Sequence, residues 1–592
     1  MKRSYYSLLA LLAAGNGFSA MAQQKDSTLV REMTIEKEYN PIVREADKIT
    51  RMPAVETPQT NKTKIEYAEP TLEATTKREV QTLEVGAVNT SYPFSKKRGY
   101  LDIAGGNYLN LRGDFGYRFI DKEKDLFGIE LHHNSSNGKI GFPEDSWAKT
   151  KRKINDNSAN LYYHHRFENL LLKTNVAYDY SGFNYYGEGD FDETYPHAVF
   201  EEYPVTHPDQ TQQRVSLGFS LNTLHKQDWD YKMGFGFTGF SQKMPGINEN
   251  EIAISLGLSR NSKSDWNFTT DLDVNVLAYG GKSVKYDWVT EGAFKNTGVV
   301  SIKPGMKYDN GSDFSARLGI RADMAFGVAP YVGIAPDFSM NWTMAEHWLL
   351  YGTLTGGIDQ YSLSNLAKEH RYYYSLIQNR NSYTVADLEL GIRSNAIAGF
   401  WFDIYGKLGY TKDDLFMESD VLALVAEEKT YWMNAINGFT ANAFGWKIGT
   451  KMKYQFSNML DLKLNLQFNG WNVSDDKVAS YRPKYEIGMG ATFRPIKKLT
   501  FDLNYDLKGG REAELSKMAV VAGTEPVTDA FVEKSVYKLK DIHQLNLKGD
   551  YRFNDTFALN ASLNNLLFRK QEILYGMPEQ GFHFMVGGSI RF

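Results

Sequence analysis

Phe582-His583-Phe584-Met585-Val586-Gly587-Gly588-Ser589-Ile590-Arg591-Phe592 is the stretch whose reading decides the fold. Read as a strand, it puts Phe582, Phe584, Val586, Ile590 and Phe592 on one face and His583, Ser589 and Arg591 on the other. A barrel wall in a membrane is one residue thick, so alternate side chains must meet lipid and lumen. An alternating last strand that ends on an aromatic residue is how outer-membrane barrels finish, and these five apolar residues form the expected C-terminal assembly signal. The same alternation would also serve a soluble β-core, so the rest of the chain has to decide.

Upstream, the alternation is often strict. Leu460, Leu462, Leu464, Leu466 and Phe468 interleave with Asp461, Lys463, Asn465, Gln467 and Asn469. Phe501, Leu503, Tyr505 and Leu507 interleave with Asp502, Asn504 and Asp506. Each such segment is a strand with one apolar and one wet face. The connections are sorted by parity. Tight turns are expected at 121–124, 167–169, 309–313, 457–459 and 554–556, and longer connections lie between them, at 135–157, 182–212, 361–383, 412–443 and 509–540. One connection, near Gly327 to Pro330, is short on the long side. Short periplasmic turns facing long extracellular loops are the mark of an outer-membrane barrel, whereas a sandwich has no reason to sort its loops. The segments number about 22, an even count, and both ends of the barrel fall on the tight-turn side. The expected fold is therefore all-β, a transmembrane antiparallel barrel over residues 98–592.

The amino-terminus sets the compartment. Lys2 and Arg3 precede the apolar run Leu8 to Ala14, and Ala20-Met21-Ala22 offers a small-x-small cleavage site before Gln23. Residues 1–22 are read as a removed signal peptide, and residues 23–97, charged and punctuated by Pro41, Pro53, Pro58, Pro70 and Pro93, as a mostly extended periplasmic segment. The expected location is the outer membrane.

Composition agrees with this reading. The 592 residues contain no Cys, which removes disulfide frameworks, thiolate metal sites and Cys nucleophiles. A net charge of -4 leaves no footprint for nucleic acid. Mean hydropathy of -0.45 and the lack of any long apolar run after the signal peptide exclude transmembrane helices but not barrel strands, which are half polar. Tyr, at 37 residues, is the main aromatic, and its ring and hydroxyl suit the membrane interface.

With these features the chain resembles the TonB-dependent receptor superfamily in its barrel. The resemblance is carried by the strand count, the sorted loops and the final hairpin from Asn560 through Gly581 to Phe592. It implies a receptor-like protein in transport, or the membrane subunit of a larger envelope complex. A non-conducting scaffold and a general porin are the alternatives. The family's globular plug would need well over a hundred residues ahead of the first strand, so a plug-less relative is expected here. Met33, Thr34 and Ile35 lie where a TonB box would, a short segment that pairs with a periplasmic partner by strand addition. TonB itself stays an open question as a partner. The other expected partners are outer-membrane lipid, the barrel assembly machinery, and a plug-supplying or extracellular protein.

Catalysis is not expected, because no G-x-S-x-G or H-E-x-x-H motif occurs, and no cofactor is expected either. His132 and His164 both fall on lumenal positions of neighbouring strands, with no carboxylate at the spacing of a metal site. Two loop features stand out as weak binding candidates. The 182–212 connection mixes acids with aromatics, including Tyr185, Tyr186, Glu188, Asp190, Asp192 and Tyr195. The 412–443 connection carries the apolar, helix-prone run 421–426, in which Val421, Leu422 and Leu424 are candidate partner contacts.

Overall fold

A computed structural model describes residues 97–188, 209–224, 228–243, 246–261, 264–281, 294–374, 378–426, 429–521 and 533–592. For 281, 422–433 and 518–533, where described, only the backbone is considered. The signal site at Ala20, Ala22 and Gln23, the segment 23–97 apart from Lys97, Met33 to Ile35, and Asp190, Asp192 and Tyr195 lie outside the described residues.

The chain forms a closed antiparallel barrel of 22 strands. The sheet holds 24 strands, two of which, Glu512–Val521 and Glu533–Lys538, form a hairpin that rises from the wall rather than belonging to it. Wall strands begin at Gly99, Leu111, Asp125, Thr150 and Leu170 and continue to Ile542, Phe557 and His583. Asn and Asp fix several tight turns. Asn310 Oδ1 accepts from the backbone N–H groups of Ser312, Asp313 and Phe314, and Asn554 Oδ1 does the same for Thr556 and Phe557.

Closure occurs between the first and last strands. Tyr100 to Gly106 pair with Arg591 to Met585, and Gly99 and Phe592 exchange backbone hydrogen bonds of 2.8 and 3.0 Å. Phe584, Val586, Ile590 and Phe592 point outward and are exposed, whereas Phe582 precedes the strand and stacks on Phe568. The Phe592 ring stacks on Tyr117 and passes over Gly99, where a Cβ would lie 2.5 Å from it. Lys97 reaches back to the carbonyls of Asp555 and Arg591 at 3.0 Å.

The outer wall is apolar. Leu217, Phe219, Met233, Phe235, Ile252 and Ile254 are all exposed on its face, with Trp229, Trp266, Trp342, Trp348 and Phe557 at the tight-turn rim. A band this large is not tolerated in water and marks the hydrocarbon contact with its aromatic girdle. The inner wall is charged but locally neutral, as in Arg112–Asp102 (2.9 Å), Lys303–Asp273 (2.9 Å) and Arg494–Asp461 (2.6 Å).

Three long connections differ from expectation because strand pairing continues above the membrane. The strands Asp125–Ile140 and Thr150–Arg166 consume most of the 135–157 loop. The 412–443 connection is not a loop with a helix-prone tip but the top of a hairpin, Phe400–Ala426 and Lys429–Ser457. Within 509–540, the strand Glu512–Val521 runs parallel to Glu418–Val425 and extends that sheet. Val421 is fully buried against Leu515, Leu539 and Tyr575, so its side chain is core rather than a displayed contact. Cross-strand pairing overrides the local helix preference of this run. The backbone of Leu422 and Leu424 lies in the same strand.

Candidate functional site: the closed mouth

The largest buried cluster among the described residues sits at the long-loop end, where inward-folded segments meet. Strand Leu170–Asn184 continues into Tyr185 and Tyr186, which are buried rather than displayed. Phe183 and Tyr185 pack edge-on at 5.7 Å, and Tyr372 meets Phe183 edge-on at 5.5 Å. The Tyr186 hydroxyl donates to the Pro578 carbonyl at 3.0 Å. Burial holds the phenols of Tyr185 and Tyr186 well above their ordinary pKa and also raises the Glu188 carboxyl. The backbone carbonyl of Glu188 accepts from Asn434 at 3.1 Å. Asn434 belongs to the strand eleven places round a 22-strand ring, the opposite wall.

The second segment follows strand Trp348–Asp359 and contains the one helix among the described residues, Leu363–Glu369. Ser362 caps it, accepting from the Asn365 N–H. Leu363, Leu366 and Ala367 face inward into the cluster. Glu249, itself buried in the wall, accepts from the Ser362 hydroxyl (2.7 Å) and from the N–H groups of Leu363 (2.7 Å) and Ser364 (3.0 Å). Two of the helix's otherwise orphan donors are thereby satisfied. Arg214 holds the Ser364 carbonyl at 2.5 Å, and Gln212 and Gln242 donate to the carbonyls of Arg371 and Tyr373. Arg371 forms a two-pronged pair with Asp156, at 3.0 and 2.7 Å. Tyr373 bridges Ile436, both almost fully buried.

The base of this segment is pinned by a buried ion cluster. Arg321 bonds Asp323 (2.8 Å) and the Ile358 carbonyl (2.6 Å), while Asp323 accepts from the Ile358 N–H (2.6 Å). Gly357, at φ +132°, leaves the room that the Arg321 side chain fills.

The third segment joins Phe557–Asn564 to the last strand. Its small hairpin, Glu572–Leu574 with Met577–Pro578, lies beneath Tyr186, and Asn434 donates to the Tyr575 carbonyl at 3.1 Å. Glu572 accepts from the Gly576 N–H at 2.9 Å, and burial raises its carboxyl above the usual range. Arg511 donates to the carbonyls of Glu572 (2.9 Å) and Ile573 (2.8 Å). Ser419 and Tyr481 hydrogen-bond each other and tie the tall hairpin to this layer.

The lid is thus apolar inside and fastened to the wall by polar contacts. Of the acidic-aromatic candidates, Tyr185, Tyr186 and Glu188 belong to it. Glu249, Arg371, Asp156 and the helix are residues that sequence reasoning missed. No local pattern marks them, because each gains its partner only through closure of the ring. His132 and His164 both face the lumen, but His132 is opposite Ser158, six residues from His164, so about 20 Å of strand separates them. His132 pairs with Asp114 instead. No group of three or more His, Asp or Glu able to hold a metal occurs among the described residues.

No family model and no curated protein matches the sequence. Solved structures do. The siderophore receptor PirA from Acinetobacter baumannii matches at a TM-score of 0.60 and 9% identity, over 84% of this chain and 81% of that one. The ferripyoverdine receptor of the outer membrane of Pseudomonas aeruginosa matches at 0.58 and 10%, over 84% and 72%. The copper transporter OprC matches at 0.57 and 13%, over 84% and 80%. At these identities the shared property is the fold alone, a large closed β-barrel.

Proposed function

We propose that this chain is a receptor-like transport barrel whose extracellular mouth is held shut by its own loops, and that passage requires release of the lid. The observation that carries the reading is the span of the lid. Segments rooted on opposite walls meet at Asn434, Tyr186 and Tyr575. A general porin would leave that opening wet. The fastenings to the wall are hydrogen bonds and ion pairs, which exchange with water at modest net cost and so suit a reversible closure. The same reading keeps residues 1–22 as a removed leader and 23–97 as a periplasmic segment that a partner, TonB among the candidates, engages from below.

A scaffold subunit is the second reading. It is favoured by the tall hairpin, whose sheet continues to Glu533–Lys538 as an outer strand. Such an edge is a template for strand addition by another protein.

A cysteine staple separates the two. The chain has no Cys, so a Tyr373→Cys, Ile436→Cys pair has no competing thiol. Bridged residues lie about 5 Å apart, inside the disulfide range. Oxidation should abolish solute passage and reduction should restore it if the lid is the gate. Equal passage in both states refutes the gate, and no passage in either favours the scaffold.

A further inference from the structure

The lipid-facing wall is dished at one place. Along Leu460–Val473, Tyr485–Ile496 and Leu499–Gly509, the residues Leu462, Met489, Phe493 and Leu503 are exposed on the outer face. Their register sets Leu462 and Leu503 on either side of Ala491, while Met489 and Phe493 flank Ala491 along its own strand. A single methyl group is therefore ringed by four large side chains. The groove this leaves has a volume of about 550 Å³, bounded by Tyr454 on one side and by Tyr505 and Leu545 on the other. Lys463 and Gly490, paired in register, line its floor. They alternate with outward residues, so what they offer the groove is main chain.

Its depth and its shape limit what can fill it. Ala491 stands five residues from the end of its strand at Ile496, about 17 Å along a tilted strand. The hydrocarbon core is about 30 Å thick, so the groove opens into the half nearer the tight turns, the periplasmic leaflet. Lipid tails are as apolar as Leu, and the preference for one occupant over another rests on van der Waals packing. A hollow left unfilled forfeits the dispersion contacts of its lining. The convex wall of a second barrel meets such a hollow poorly, whereas a flexible chain of methylenes follows it. The turn below the groove is Lys497–Lys498, two exposed cations at the rim. The Lys498 ammonium donates to the Phe553 carbonyl at 2.9 Å, a neutral partner that leaves its charge in place. Cations at that level attract anionic headgroups.

We infer that the groove over Ala491 is a binding site for one acyl chain of an anionic phospholipid of the periplasmic leaflet, whose phosphate meets Lys497 and Lys498. The site rests on the outer wall and its place in the membrane and not on the gating proposed above, so it stands or falls separately from it.

The test is native mass spectrometry of the full chain in mild detergent, titrated with dipalmitoylphosphatidylglycerol. One tightly retained lipid per chain is expected. Ala491→Trp fills the groove from the lipid side and should lower that retention about tenfold or more. Ala322→Trp puts the same bulk on the outer wall elsewhere, between Ile302 and Ile334, and should leave it unchanged. Lys497→Gln with Lys498→Gln should weaken retention of this lipid by about tenfold or more and leave that of dipalmitoylphosphatidylcholine within about twofold. Heat-modifiable migration confirms that each variant is folded. Retention equal in the Ala491→Trp and unaltered chains would overturn the site, as would lipid adducts that accumulate without saturation. A dimer that forms in the unaltered chain and is lost in Ala491→Trp would show a second copy seated in the groove, and that result also overturns the inference.

Discussion

Replacing Glu249 with Leu should open the lid without unfolding the barrel. Its carboxylate accepts from two backbone N–H groups and one hydroxyl in a site with almost no solvent. Leu keeps the bulk and removes the acceptor. Each buried N–H left without a partner costs about 1–3 kcal/mol, so the two give about 2–6 kcal/mol. Relief from burying a carboxylate offsets part of this. A net loss of about 2–4 kcal/mol corresponds to a rise of roughly 30- to 700-fold in the population with the helix undocked. Hydrogen exchange read by mass spectrometry over residues 360–374 measures that population, with the wall strands as internal reference. Glu249→Gln, which keeps one acceptor oxygen, should show a smaller rise. Unchanged protection of 362–369 in a folded Glu249→Leu barrel would refute the claim that this carboxylate holds the lid.

Arg371→Ala leaves Asp156 without its two-pronged partner, so exchange of the same segment should rise by about tenfold or more and brief openings should appear in single-channel recordings. Phe592→Asp should prevent membrane assembly, because it puts a charge on the outer face at the closing seam and removes the stack on Tyr117; loss of the heat-modifiable form is the readout. The Glu572 carboxyl is raised by burial, so the folded lid binds its proton more tightly than the unfolded segment does. Its contribution is therefore greatest in acid and declines as pH rises from the usual carboxylate range, near 4.5, through the raised value. Protection factors for 571–579 should fall across that window, and Glu572→Gln should flatten the profile.

Much of the barrel was legible because its governing constraint is local. A strand in a membrane wall must alternate every second residue, and Leu460 to Phe468 or Phe582 to Phe592 display that period with no reference to neighbours. The tight turns at 309–313 and 554–556, and the parity of loop lengths, gave the topology in the same way. The candidate site was legible only in fragments. The acidic-aromatic run drew notice at Tyr185 and Tyr186, but as a displayed surface, and the structure turns both rings inward.

What the sequence alone determined is the period, the strand number and which face of each strand meets lipid, since these follow from residue-by-residue polarity. Only the tertiary structure decided how far the strands run above the membrane, that Val421 is core, and that Glu249, Arg371 and Asn434 fasten a lid. Those features depend on pairing between neighbouring strands at the hairpin tops and on contacts across the ring at the mouth. The partner of Asn434 is set by ring closure, and the pairing of Val421 by register, and neither quantity is written in the order of residues along one strand.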